Sequence, residues 1–392
     1  MASANRYDLR RVKEVTWGTT PNTPALKLIR NTGESLSDAI TTERSQEIRP
    51  DRTTADLVPV DASISGAFNF EFSYGSYDDF IESALMSAWV DSSFSGAVTT
   101  VVGATSNLTG TGIGANKVPG QLMDLRGLTN PLNNRTYRIV EVVDANTLTV
   151  TPIPNSAETG AADLVGSYVK NGITEQSYTI VKRFNDASPV TTQVFDGMRV
   201  GGFSLDMSTA SLITGAFNFI GSEAAWDVDP AFAGETTVDA PTTPVMNAVT
   251  NITDITMDGN ALCATGAVSN LTFELDNQHR EQKGLCRMGA VGVVAGQLMV
   301  NISGSQYFTN ATEAQKFKSG TPFEFSFNLQ DNEFNTYNFF TPKNKYETYD
   351  VNATGLDTDV MAETSFTSLY DPVTDAVIII SRIPAPTPGG TS

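Results

Sequence analysis

The stretch that decides the fold is Ala62–Trp89, ASISGAFNFEFSYGSYDDFIESALMSAW. Its first half alternates. Ile64, Gly66, Phe68, Phe70, Phe72 and Tyr74 share one face, and Ser63, Ser65, Asn69, Glu71 and Ser73 share the other. Successive strand side chains point to opposite faces, so this is the pattern of a half-buried strand. The period then changes. Tyr77, Phe80, Ile81, Ala84, Leu85, Ala88 and Trp89 recur at three- and four-residue intervals, the apolar stripe of a helix. Ser76 is the expected N-cap with Asp79 as its capping-box partner, and the pair Asp78-Asp79 suits the positive end of the helix dipole. Phe68, Phe70, Phe72, Phe80, Leu85 and Trp89 are the expected packing residues of this unit.

The unit recurs. Val294, Gly296, Leu298, Val300 and Ile302 alternate in register with Ile64, Gly66, Phe68, Phe70 and Phe72. A short helix comes next, with Asn310 as N-cap, Glu313 at the third position, Ala314 and Phe317 facing inward and Gly320 as the stop. Leu298, Val300 and Phe317 are the packing residues of this copy. A chain that repeats one strand–helix unit reads as part of a ring or array more than as a catalyst.

The copies diverge after the helix. In the second, an alternating strand begins at once with Phe323, Phe325, Phe327 and Leu329. In the first, the comparable strand at Tyr178 and Ile180 comes much later, so residues 91–172 read as an insertion. It carries its own β pattern, with Tyr137, Ile139, Glu141 and Val143 leading through Asp144-Ala145-Asn146 into Leu148 and Val150. About eighty residues suffice for a small domain. The expected organisation is mainly β, with minor α+β character. Two tandem β-sandwich or barrel cores, each with one flanking helix, occupy 1–90 with 173–228 and 246–383. A small all-β domain sits at 91–172, a Pro-rich linker at 229–245, and a loose Pro/Gly tail at 384–392. The last strand, Ala376–Arg382, is expected to match Leu212–Ile220 in role.

Each core carries a long polar loop before its repeated strand, Thr41–Asp61 and Asp276–Val293. Long loops in compact domains are usually functional or disordered. Both are dense in mixed charge although only 18% of the chain is charged, which favours intersubunit contact. The net charge of −19 excludes a protein that grips nucleic acid by counterion release, and an acidic surface would let DNA slide past. Cys263 and Cys286 have no metal-ligand spacing and read as small hydrophobes. The N-terminal run lacks the apolar segment of a signal peptide, and no apolar stretch reaches membrane-spanning length.

An enzyme would need catalytic groups. The single histidine, His279, stands in a charged loop and reads as an exposed residue. No G-x-S-x-G elbow and no H-E-x-x-H pattern exists. Gly110–Ala115 fits G-x-G-x-x-A, but Val118-Pro119-Gly120 stands where a dinucleotide site needs a helix. The expectation is therefore a non-enzyme without cofactor, metal or catalytic residue. A β-rich carbohydrate-binding or adhesin-type protein is the alternative, but it leaves the paired loops unexplained.

Several short segments resemble the tail tube (major tail) proteins of long flexible-tailed, siphovirus-type phages. They are Glu14–Pro21 (EVTWGTTP), Glu47–Arg52 (EIRPDR), Phe72–Phe80 (FSYGSYDDF), Phe195–Val200 (FDGMRV) and Ser368–Pro372 (SLYDP). The resemblance covers both cores and not the insertion. It implies β-sandwich subunits that join edge to edge into rings, with the rings stacked into a hollow tube through which DNA passes. Partners would be further copies of the chain, the tail terminator, tape measure and distal tail proteins, and double-stranded DNA held transiently without specific binding. The place would be the virion, after synthesis in the host cytoplasm, with no membrane insertion. By this likeness Arg44, Glu47, Arg49, Asp51 and Arg52 in the first loop, and Arg280, Lys283 and Arg287 in the second, make the contacts between rings. Family members with one core form sixfold rings, so two cores imply a homotrimeric, pseudo-hexameric ring with the insertion outside.

Overall fold

The computed structural model describes residues 3–386 except 104–105, 264–267 and 354. The rest of the expected tail, 387–392, lies outside the described residues. The chain is mainly β. In the first half β1 is Tyr7–Lys13, β2 Ser37–Arg44, β3 Leu57–Glu71, α1 Asp78–Ala84, β4 Tyr178–Phe184, β5 Thr191–Ser208, β6 Thr214–Ile220 and β7 Glu223–Val228. In the second half β8 is Ile252–Met257, β9 Val268–Asp276, β10 Met299–Tyr307, α2 Thr312–Ser319, β11 Phe323–Gln330, β12 Thr336–Asn352, β13 Met361–Ser368 and β14 Ile379–Ile383.

The two halves pair in the same order. The first runs β1–β4–β5–β6–β3–β2, with β7 on the N-terminal part of β5. The second runs β8–β11–β12–β13–β10–β9, with β14 on the N-terminal part of β12. Even the irregularities coincide. β4 and β5 shift register between Tyr178 and Ile180, as β11 and β12 do between Phe323 and Phe325. β5 shifts against β6 between Val200 and Gly202, as β12 does against β13 between Tyr346 and Thr348. A bulge re-aims a strand and is a built feature, so two matched bulges fix the correspondence to the residue.

That correspondence corrects two sequence expectations. The repeated strand starts at Met299, not near Val294, which lies in a separate short hairpin of Arg280–Gln282 with Gly292–Val294. The ladders place Val300, rather than Val294, level with Ile64. A slip by an even number of residues leaves every side chain on its face, so alternation alone could not detect it. Likewise β14 matches β7, while the partner of β6 is β13, whose polar composition hid it.

α1 is shorter than its apolar stripe. α1 ends at Ala84, and Met86 lies just beyond it with φ 49. Its N-cap position is Tyr77 without a side-chain cap, because Ser76 is buried and shares a hydrogen bond with Ser73 (2.8 Å). Asp79 pairs with Arg11 (2.6 Å) instead of closing a capping box. In α2 the N-cap position is Ala311, one residue beyond the expected Asn310, so Glu313 takes the second helical position; Asn310 Oδ1 accepts from the Thr312 backbone (2.9 Å) and Gly320 ends the helix at φ 63. Phe317, expected inward, is 37% exposed, since α2 buries none of its residues.

Phe68, Phe70, Phe72, Phe80 and Leu85 are buried, and Trp89 and Leu298 pack half-buried against the same cluster as Val300. Phe68 touches the rings of Phe70, Tyr77, Phe80, Phe217 and Phe219. Each such ring contributes roughly 1.5–3 kcal/mol by burial. The cluster does not stop at the end of the first half. Phe203 meets Phe273 at 5.3 Å, and Phe273 meets Phe339 at 5.5 Å, so both halves share one hydrophobic core. The physical reason is a ladder between β5 and β9, running from Gly202↔Asp276 to Ser208↔Asn270. The 229–245 segment is also tied down. Thr236–Val238 pairs in parallel with Ala25–Leu28, and Arg30 donates to the Thr243 carbonyl (2.6 Å).

Within 91–172, six strands from Phe94 to Val165 close a barrel around Val98, Leu108, Met123, Tyr137, Ile139 and Leu148. Ser167–Lys170 then leaves it to pair with β14. The barrel leans on the second half although it interrupts the first. Arg138 donates to Ser326 Oγ (2.9 Å) and lies over the Phe340 ring (4.2 Å), and the Leu122 backbone donates to Ser381 Oγ (2.9 Å).

Candidate assembly interfaces

The hairpin of β2 and β3 carries the first charged loop. Its strands leave Ile40, Leu57, Val58 and Val60 about half exposed, and Ile48 at the tip is 96% exposed. A two-stranded hairpin with a bare apolar surface is marginal by itself and suits burial against a partner. Arg44, Glu47, Arg49, Asp51 and Arg52 are all exposed. Arg49 pairs with Asp51 (3.0 Å); its hydrogen bonds, with those of Thr53, hold the Asp51 carboxyl down at about 2. The tip therefore presents a shaped, charged turn.

The second loop holds the same place between β9 and β10 but not the same surroundings. It lies against the first half. Lys283 pairs with Asp61 (3.0 Å) and Glu281 (2.9 Å) and donates to the Ala62 carbonyl. Burial opposes the charge on Lys283, yet these hydrogen bonds raise its pKa. Arg287 pairs with Glu223 (2.7 Å) and donates to Ser222 Oγ (2.9 Å). Arg280 is exposed on the short hairpin. Docking of the loop also explains His279, expected to be exposed and in fact half-buried beside Arg199 and Gly201. Burial, then the Arg199 charge, lowers its pKa, against the pull of Glu175 and Asp276.

Two of the sheet edges left open among the described residues bear on assembly. The C-terminal part of β5 has β6 on one side and β9 on the other. The matching part of β12 has β13 on one side and, among the described residues, no strand on the other. Among the described residues β2 is paired with β3 alone. An open edge is a template for another chain unless something covers it.

Two polar clusters escaped the sequence reading. Glu14 is buried, and its carboxylate accepts from Ser177 (2.6 Å), Thr179 (3.0 Å) and the backbones of Gly18 and Gly197 (both 2.8 Å). Trp17 Nε1 donates to the Gly197 carbonyl (3.0 Å), so EVTWGTTP and FDGMRV form one clamp. Asp78, at the start of α1, pairs with Arg382 on β14 and accepts from the Tyr337 hydroxyl on β12. A lone acid in a polar run gives no spacing signal; only the partner from the other end of the chain reveals its task.

No group of three His, Cys, Asp or Glu that could hold a metal occurs among the described residues. Cys263 and Cys286, expected to act as small hydrophobes, are free and exposed. Among the described residues no helix is long and apolar enough to cross a membrane. The arrangement defines a β-rich protein whose distinctive chemistry is unsatisfied strand edge and projecting hairpin. The chain belongs to the phage tail tube protein family, whose model matches residues 5–368. A search of curated proteins gave no match. Membership makes this a structural tail tube protein of the virion tail, a class that assembles into a tube with other tail proteins.

Proposed function

We propose that three copies of this chain close a ring of pseudo-sixfold symmetry, that the rings stack into a siphovirus-type tail tube, and that double-stranded DNA passes through the lumen. The observation that carries this reading is the matched strand order of the two halves. One chain holds two tube cores and already contains one of the seams a ring needs. A C-terminal edge and an N-terminal edge remain open for the next chains. Closing the ring removes both edges, which is how closed β assemblies avoid uncontrolled growth.

The β2–β3 hairpin supplies the contact between rings through Arg44, Glu47, Arg49, Asp51 and Arg52. Arg280, Lys283 and Arg287 support it from the second loop, with Lys283 and Arg287 holding that loop against the first half. The barrel lies on the outside of the tube. The net charge of −19 fits a lumen that does not bind DNA tightly. The tail terminator, the tape measure and the distal tail protein are the expected neighbours at the tube ends and in its bore. Electron microscopy of purified protein tests the reading. Hollow tubes or rings of three chains are expected; a chain that stays monomeric at high concentration, or rings of six chains, would overturn it.

A further inference from the structure

The seam inside the chain is a template for the seam between chains. We propose that the open edge of β12 pairs antiparallel with residues 35–39 of a second copy, in the register that β5 and β9 use within one chain. This rests on the ring reading above and names its contact residue by residue.

The matched bulges make the register specific. Val200 and Tyr346 precede the same bulge, so Ser204, Leu205 and Asp206 correspond to Asp350, Val351 and Asn352. On the other strand, Gly33 faces Asn69 as Asn270 faces Ser305, and Ser37 faces Ser65 as Glu274 faces Asn301. Ser35, Leu36, Ser37 and Asp38 thus correspond to Thr272, Phe273, Glu274 and Leu275. Within the chain Ser204 faces Glu274, Leu205 faces Phe273 and Asp206 faces Thr272. Between chains Asp350 faces Ser37, Val351 faces Leu36, Asn352 faces Ser35 and Tyr349 faces Asp38.

The side chains suit these places. Leu205, Phe273 and Leu36 are all buried, whereas Val351 in the open seam is 41% exposed and would extend that apolar face. Thr272 donates to Asp206 (3.0 Å) across the inner seam, and Ser35 with Asn352 retains a donor and an acceptor at that site. In the inner seam the acid at Glu274 faces a serine, and in the open seam the acid at Asp350 does, so no like charges meet. Asp38, whose Oδ1 is buried without a hydrogen-bond partner, is the residue that Tyr349 faces in this register.

Cysteine pairs test the register in the full chain with Cys263→Ser and Cys286→Ser. Directly opposed Cα atoms lie about 4.5–5.5 Å apart, within disulfide reach. Ser37→Cys with Asp350→Cys, and Ser35→Cys with Asn352→Cys, are expected to oxidise into interchain products that stop at trimer on a non-reducing gel. Ala39→Cys with Asp350→Cys, displaced by two residues, is expected to give at least fivefold less product. Rings or tubes in the micrographs with neither expected cross-link, or with the displaced pair linking more, overturn the register and leave the tube reading intact. Products reaching hexamer overturn the three-chain ring. Protein that forms no ring at any concentration overturns the tube reading and the pairing with it.

Discussion

Asp78→Ala is the substitution that most directly tests how the two halves are held together. Asp78 opens α1 in the first half, and its carboxylate serves two groups of the second half, the Arg382 guanidinium and the Tyr337 hydroxyl. The Tyr337 ring is buried, and its oxygen also accepts from the Gly75 backbone (3.0 Å). Burial, reinforced by the Asp78 charge, pushes the phenol's pKa well up, so it stays a donor. Arg382 lies over the Trp89 ring at 4.7 Å. Removing the carboxylate strands a cation and a buried hydroxyl together. Breaking a buried ion pair costs about 3–5 kcal/mol, and an unsatisfied buried hydroxyl about 1–3 kcal/mol. The two losses share one carboxylate and do not add. The Arg382 side chain is 29% exposed, so water recovers part of the loss. We expect roughly 3 kcal/mol in equilibrium urea unfolding at a concentration where the chain is monomeric. A cycle of Asp78→Ala, Arg382→Met and the double variant should yield a coupling of about 2 kcal/mol. An additive double variant, or a single variant within about 0.5 kcal/mol of the parent, refutes the claim that this cluster clamps the halves.

Three other features are open to direct test. Arg138→Ala should loosen the barrel from the second half while leaving the body folded, read as faster proteolysis in 166–177 and a larger radius of gyration in X-ray scattering; unchanged cleavage argues against that anchor. His279 is the only histidine, so its proton resonance is unambiguous, and its midpoint should fall below the ordinary histidine value of 6.5 because burial disfavours the charged ring. As pH falls through that range the unfolded chain binds more protons than the folded one, so stability should decline from pH 7 toward about 5, and His279→Gln should flatten the slope; a steeper slope in the variant contradicts the assignment. Deleting 42–56 should leave a folded subunit that closes rings but does not stack them, and tubes of normal length in micrographs would remove the hairpin from the stacking contact.

The Phe68–Phe72 alternation and the stripe through Phe80 and Leu85 were legible because burial follows period, and period is local. The six-stranded barrel within 94–165 was legible as a β pattern of its own, because its alternation is local too. The charged loops could be found as composition but not placed. One stands out as the β2–β3 hairpin, and the other is folded onto Ser222 and Ala62, a difference that depends on what lies within reach in space. Phe317 was misread because an apolar stripe reports a capacity for burial and does not supply the surface to bury against.

Sequence alone determined the mainly β class, since alternation and composition are local. Tertiary structure decided the register of the repeat, the merging of two halves into one core, and which edges stay open. Alternation is blind to a shift by an even number of residues. Ladder pairing between β5 and β9 depends on backbone hydrogen bonds between segments about seventy positions apart, which no local pattern encodes. The same backbone groups, unpaired along β12 and β2, are what another copy of the chain would complete.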